Sequence, residues 1–91
     1  MDKDKVTLVL FPGAWGNRNE FAVRWWFKNV ISYFSDYHVV IVTYQGESLN
    51  DIAQDATDQL RLIPNGSLAL AYSMGSQIAR GVADRRPCLF K

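Results

Sequence analysis

Ser73 is the residue best placed for covalent chemistry. It lies in Leu68-Ala-Leu-Ala-Tyr-Ser73-Met-Gly75-Ser-Gln-Ile-Ala, where a short apolar run meets a helical pattern with no loop between. Ala71 two residues before and Gly75 two residues after are small, as a tight strand-to-helix turn requires if it is to present a hydroxyl clear of the backbone. A serine hydroxyl becomes a nucleophile when a base takes its proton, and acyl transfer also needs donors for the developing oxyanion. The Met74 amide, at a helix start where N–H groups are unpaired and the dipole favours negative charge, is one such donor. The plain alternative is that Ser73 simply caps the helix.

A second donor is expected from Pro12-Gly-Ala-Trp-Gly-Asn17. Gly13 allows close backbone approach, and the Ala14 N–H, with Trp15 next in line, can point toward the same crevice. The Trp15 side chain is read either as a pocket wall or as packing.

The elements that must position these groups follow from the pattern of apolar residues. Val6–Phe11 is a nearly continuous apolar run closed by Pro12-Gly13, which suits a parallel strand covered on both faces. Asn17 with Glu20 forms a capping-box pair ahead of a helix whose Phe27, Val30, Ile31 and Phe34 make one apolar stripe. His38–Thr43 is β-branched and strand-like. Ser48 to about Ile63 reads as a helix with Ile52, Ala56, Leu60 and Ile63 inward, ended by Pro64-Asn65-Gly66. Leu68–Tyr72 is a third strand, Met74 to about Asp84 a third helix, and Cys88-Leu-Phe the start of a fourth strand.

The expectation is a single domain over residues 1–91: α/β, three-layer, with a mostly parallel sheet of about four strands in the order β-α-β-α-β-α-β. If strands two and three flank strand one, the order reverses between strands one and three, and ligands bind at the carboxyl ends there. The Pro12–Asn17 loop and the Ser73 turn would share that crevice.

Ala71-Tyr-Ser73-Met-Gly75 together with Phe11-Pro-Gly-Ala-Trp-Gly16 resembles the α/β-hydrolase superfamily, most closely its minimal serine esterase and lipase-like members. The resemblance covers nearly the whole chain. It implies an incomplete α/β-hydrolase fold, the nucleophile-bearing N-terminal half. Ser73 is then the nucleophile, the amides of Ala14 and Met74 the oxyanion hole, and a small ester or thioester the substrate of the intact parent. No cofactor is implied. Two departures are Ala71, where many members have glycine, and Pro12, where many have histidine.

In that family an acid and then a histidine follow the serine. After Ser73 this chain has one acid, Asp84, and no histidine. Asp84 is eleven residues along a helix, roughly 16 Å from Ser73. The single histidine, His38, begins the second strand, and six strand residues separate its level from the carboxyl edge by roughly 20 Å. The 91 residues are therefore expected to lack a working triad. The competing reading is a non-catalytic, hydrolase-like interaction module that self-associates through an exposed sheet edge.

Composition excludes several other classes. Hydrophobic residues are 48% and charged residues 21%, with net charge +1 and no basic stripe, so neither disorder nor nucleic-acid binding is expected. One cysteine and one histidine leave no cluster for a metal. Cys88 suits a reducing compartment and is expected to be a small buried hydrophobe. No run approaches a membrane span, and the N-terminus lacks a signal-peptide core, so a cytoplasmic location is expected. Trp25, Trp26 and Phe27 are read as core and helix-face packing. Arg80, Arg85 and Arg86 are read as solvated charges suited to a helix C-terminus, with a phosphate site the weaker alternative.

Overall fold

The computed structural model describes residues 6–13, 24–25 and 27–91. Ala14, Trp15, Asn17, Glu20 and Trp26, on which several of the expectations above rest, lie outside them.

In chain order the elements are β1 (Thr7–Phe11), α1 (Lys28–Tyr33), β2 (His38–Ile41), α2 (Leu49–Gln59), β3 (Leu68–Ala71) and α3 (Met74–Arg85). The three strands form one parallel sheet in the order β2-β1-β3. Thr7 stands opposite His38, and Phe11 opposite Ala71. β1 is central and buried at all five of its residues, as an uninterrupted apolar run predicts for a strand with cover on both faces.

Strand alternation sorts that run into two cores. Val9 and Phe11 join Ala56 and Leu60 of the α2 side with Ile78 and Val82 of α3; Leu89 and, from the segment after β2, Val42 and Tyr44 complete this cluster. Leu10 faces the opposite way, with Ile41, Phe27 and Ile31. The sheet is thus layered between α2 and α3 on one face and α1 on the other. The two helices of the first face approach closely: a Cβ at Gly81 would stand 2.7 Å from that of Ala53.

Local signals in the sequence account for the helix ends. Ser48 is the N-cap of α2, its Oγ accepting from the Asp51 amide at 3.1 Å. At the other end the regular helix stops at Gln59, four residues before Ile63. The Leu60 amide is shared between the carbonyls of Ala56 and Thr57, which tightens the last turn.

The structure corrects several of the smaller expectations. Arg85 and Arg86 are half-buried connectors. Arg86 donates to the carbonyls of Leu60 (2.8 Å) and Ile63 (3.0 Å) and to Asn65 Oδ1 (2.7 Å). It thereby caps the end of α2 from another helix. Arg85 donates to Asn50 Oδ1 at 2.6 Å and Gln54 Oε1 at 3.2 Å, stapling α3 to α2. Cys88 is exposed, because Leu89 takes the buried place beside it. Trp25 is 61% exposed, with the Lys28 ammonium 4.0 Å above its ring; Phe27 alone of the two packs on the second core.

Beyond α3 there is a single parallel bridge, Ser67 to Phe90, against the start of β3, where a fourth strand was expected. The Ser67 and Gly66 amides donate to the Leu89 carbonyl, and the Lys91 amide donates back to Ser67. Phe90 sets its ring edge-on to Phe11, centroids 5.8 Å apart, so the returning segment is tied to the sheet through its side chain as well.

Candidate active site

The carboxyl end of β3 turns directly into α3, and Ser73 is the turning residue. Its backbone adopts φ 56°, ψ −127°, and among the described residues it is the only one other than glycine with positive φ. These are the angles of the first central residue of a type II′ turn, a place usually taken by glycine. The turn is closed by the Gly75 amide donating to the Tyr72 carbonyl at 2.9 Å. A residue with a Cβ in this region costs about 1–3 kcal/mol, held only because the surroundings over-determine it.

Those surroundings are the ladder before the turn and the helix after it. The Tyr72 amide donates to the Phe11 carbonyl at 3.0 Å, extending the pairing of β3 with β1 up to the residue before Ser73. After the turn, Gly75 lies against the end of β1. A Cβ there would stand 2.6 Å from the Pro12 carbonyl oxygen and would overlap that of Phe11. The small residue two places after Ser73 thus lets the helix start reach the first loop.

The plain reading, that Ser73 serves as a helix cap, fails on geometry. Its side chain makes no capping hydrogen bond, and the residue is exposed. The Ser76 amide and Ser76 Oγ are both satisfied by the Ser73 carbonyl, at 3.0 and 2.7 Å. With the Gly75 and Ser76 amides taken, the Met74 amide is the donor at the helix start with no backbone acceptor among the described residues. The Met74 side chain meanwhile packs on the larger core.

The loop after β1 arrives at the same end of the sheet. Its first residues, Pro12 and Gly13, are buried. The expected second donor, Ala14, and the expected pocket residue, Trp15, lie beyond the described part of that loop.

His38 is kept apart from this site. It pairs with Thr7 at the amino end of the sheet, whereas Ser73 lies two residues beyond Ala71, the partner of Phe11 at the carboxyl end. Four strand positions separate the two levels, roughly 13 Å. Asp84 lies in the last turn of α3, also remote from the turn that begins it.

One group beside the site escaped sequence reasoning. Tyr44, in the loop after β2, is buried and donates its hydroxyl to the Pro12 carbonyl. Burial raises its pKa well above the ordinary phenol value. Gln59 holds the neighbouring residue from α2: its Oε1 accepts from the Thr43 amide at 3.1 Å and its Nε2 donates to the Thr43 carbonyl. The only sequence signal was an aromatic residue four places ahead of the Ser48 cap, which by itself points to no particular partner.

Among the described residues no group of three or more His, Cys, Asp or Glu could hold a metal ion. No helix among them is long and apolar enough to cross a membrane. No family model matches the chain, and no curated protein or solved structure matches it either.

Proposed function

We propose that Ser73 is the nucleophile of a serine hydrolase of the α/β-hydrolase kind, acting on carboxylic ester or thioester bonds through an acyl-enzyme. The observation that carries this reading is the backbone of Ser73, in a strained conformation between β3 and α3, because strain of this kind concentrates where a side chain must be presented for chemistry. In the proposed reaction a base takes the Ser73 Oγ proton as Oγ attacks the acyl carbonyl. The amides of Met74 and Ala14 hold the resulting oxyanion. The leaving alcohol or thiol recovers the proton, and water then hydrolyses the Ser73 ester. No cofactor enters. His38, the single histidine, is at the wrong end to serve as the base.

The Phe90 bridge on β3 supports extension of the sheet to the four strands that this family reading expects. A single cysteine suits a cytoplasmic setting.

The test supplies the base from solution. Wild-type protein is treated with a fluorophosphonate over a range of added imidazole, and the modified peptide is located by mass spectrometry. Ser73 Oγ attacks phosphorus, the P–F bond breaks, fluoride leaves and imidazole takes the proton. Labelling at Ser73 that rises with imidazole and vanishes in Ser73→Ala is expected. Unlabelled wild type, or equal labelling in Ser73→Ala, sinks the reading.

A second reading, a non-catalytic module that self-associates, is favoured by the outer edge of β3, where Ala69 is exposed and, among the described residues, the strand's only outer partner is the bridge at its start. Sedimentation velocity tests it: concentration-dependent dimers support it, and a monomer at every concentration opposes it.

A further inference from the structure

We infer that Tyr44 is a positioning residue for the site, setting the direction of the peptide that leads into the oxyanion loop; this rests on the hydrolase reading of Ser73. The backbone pairing of β1 ends at the Phe11 carbonyl, which the Tyr72 amide takes. Pro12 has no N–H with which to continue it. The next polar group of the main chain, the Pro12 carbonyl, is held by the Tyr44 hydroxyl at 2.5 Å, from a residue 32 positions away in sequence.

A trans peptide sends its carbonyl and the following N–H in opposite directions, and the described chain contains no cis bond. Holding the Pro12 carbonyl toward the buried phenol therefore aims the Gly13 N–H away from the core. Tyr44 is itself braced. Its ring sits in the core cluster with Phe11 and Ile78, and Gln59 grips both backbone groups of Thr43 beside it. Gln59 is oriented in turn by donating to Asp55 Oδ2 at 2.8 Å. The chain of contacts runs from α2 through Thr43 and Tyr44 to the turn at Pro12, which abuts Gly75 two residues after the nucleophile.

The experiment compares wild type with Tyr44→Phe, which keeps the ring and removes the hydroxyl. Two quantities are read: the 15N order parameter of Gly13, and the rate of imidazole-dependent fluorophosphonate labelling at Ser73. In Tyr44→Phe the Gly13 order parameter is expected to fall from about 0.85 toward 0.6, with Val9 and Leu10 unchanged. Labelling is expected to slow about tenfold, as weakening of one oxyanion donor would cause. Gln59→Ala, at an exposed position, is expected to give a smaller change of the same pattern, and it decides the matter if Tyr44→Phe does not fold. An unchanged Gly13, loosening spread evenly over β1, or labelling at the wild-type rate in a folded variant overturns the role of Tyr44 while leaving the Ser73 reading intact. Wild type that is not labelled at all overturns the Ser73 reading, and the role of Tyr44 in it.

Discussion

Gly75 rests against the backbone of Pro12, so near that a side chain at position 75 would have its Cβ 2.6 Å from the Pro12 carbonyl oxygen. This contact joins the turn carrying Ser73 to the loop after β1, and it exists because residue 75 has no Cβ. Gly75→Ala forces the start of α3 away from the sheet. A loss of about 1–3 kcal/mol is expected, the usual range for overpacking, measured by urea unfolding. Wild-type stability in the variant would show that the helix start can shift freely.

Ser73 itself is held where glycine would rest without strain. Ser73→Gly is expected to raise stability by about 1 kcal/mol, equivalent to roughly 4–8 °C in the thermal midpoint for a domain of this size. Fluorophosphonate labelling should vanish at the same time. Gain of stability with loss of reactivity is the signature of a residue kept for its side chain; a drop in midpoint would contradict the strain argument.

The cap of α2 is separable from the site. Removing the Ser48 hydroxyl leaves the Asp51 amide without its acceptor, and Ser48→Ala is expected to lower stability by about 1 kcal/mol. Calorimetry checks this, and Ser48→Asp should recover most of the loss.

Arg86 donates to two carbonyls at and just beyond the end of α2, that of Leu60, which also accepts from the Ile63 amide, and that of Ile63. Arg86→Ala is expected to cost about 1–3 kcal/mol, the range for hydrogen bonds made by a charged donor. Arg86→Lys should recover only part of it, because an ammonium cannot span the Leu60 and Ile63 carbonyls and Asn65 together. Full rescue by lysine would mean that charge, not the planar fork, is what matters.

Alkaline pH tests the burial of Tyr44. Its folded pKa is raised by desolvation, so above the ordinary phenol value of about 10 the unfolded chain loses a proton that the folded chain keeps. The unfolded state then binds fewer protons, and stability falls as pH rises. The contribution is fully present below about pH 10. Unfolding midpoints taken on both sides of that value should decline more steeply in wild type than in Tyr44→Phe. Equal slopes would place the phenol in water.

Much of the frame was legible in the residues because its signals are local. The apolar run of β1 announced a strand covered on both faces. Ser48 with Asp51, three residues apart, announced a helix start. Alternation of strand and helix patterns called for a parallel sheet. Where local signals gave out, the reading erred in a consistent direction. Arg85 and Arg86 look like solvated charges at a helix end, yet they reach acceptors on α2 and the turn after it. Cys88 has the composition of a core residue, yet its neighbour Leu89 takes the buried place. The fourth strand is reduced to one bridge at Phe90, since pairing depends on what stands beside β3 and not on the apolar character of Cys88-Leu-Phe.

For the site the division is the same. The amino-acid order alone determined that a serine flanked by small residues would sit between a strand and a helix, because steric limits at such a turn act over two or three neighbouring residues. Only the tertiary structure decided the order β2-β1-β3, the left-handed backbone of Ser73, the separation of His38 from it, and the reach of Tyr44 to Pro12 across 32 positions. Those outcomes depend on which faces pack together, and burial of apolar surface sets that for the whole chain at once.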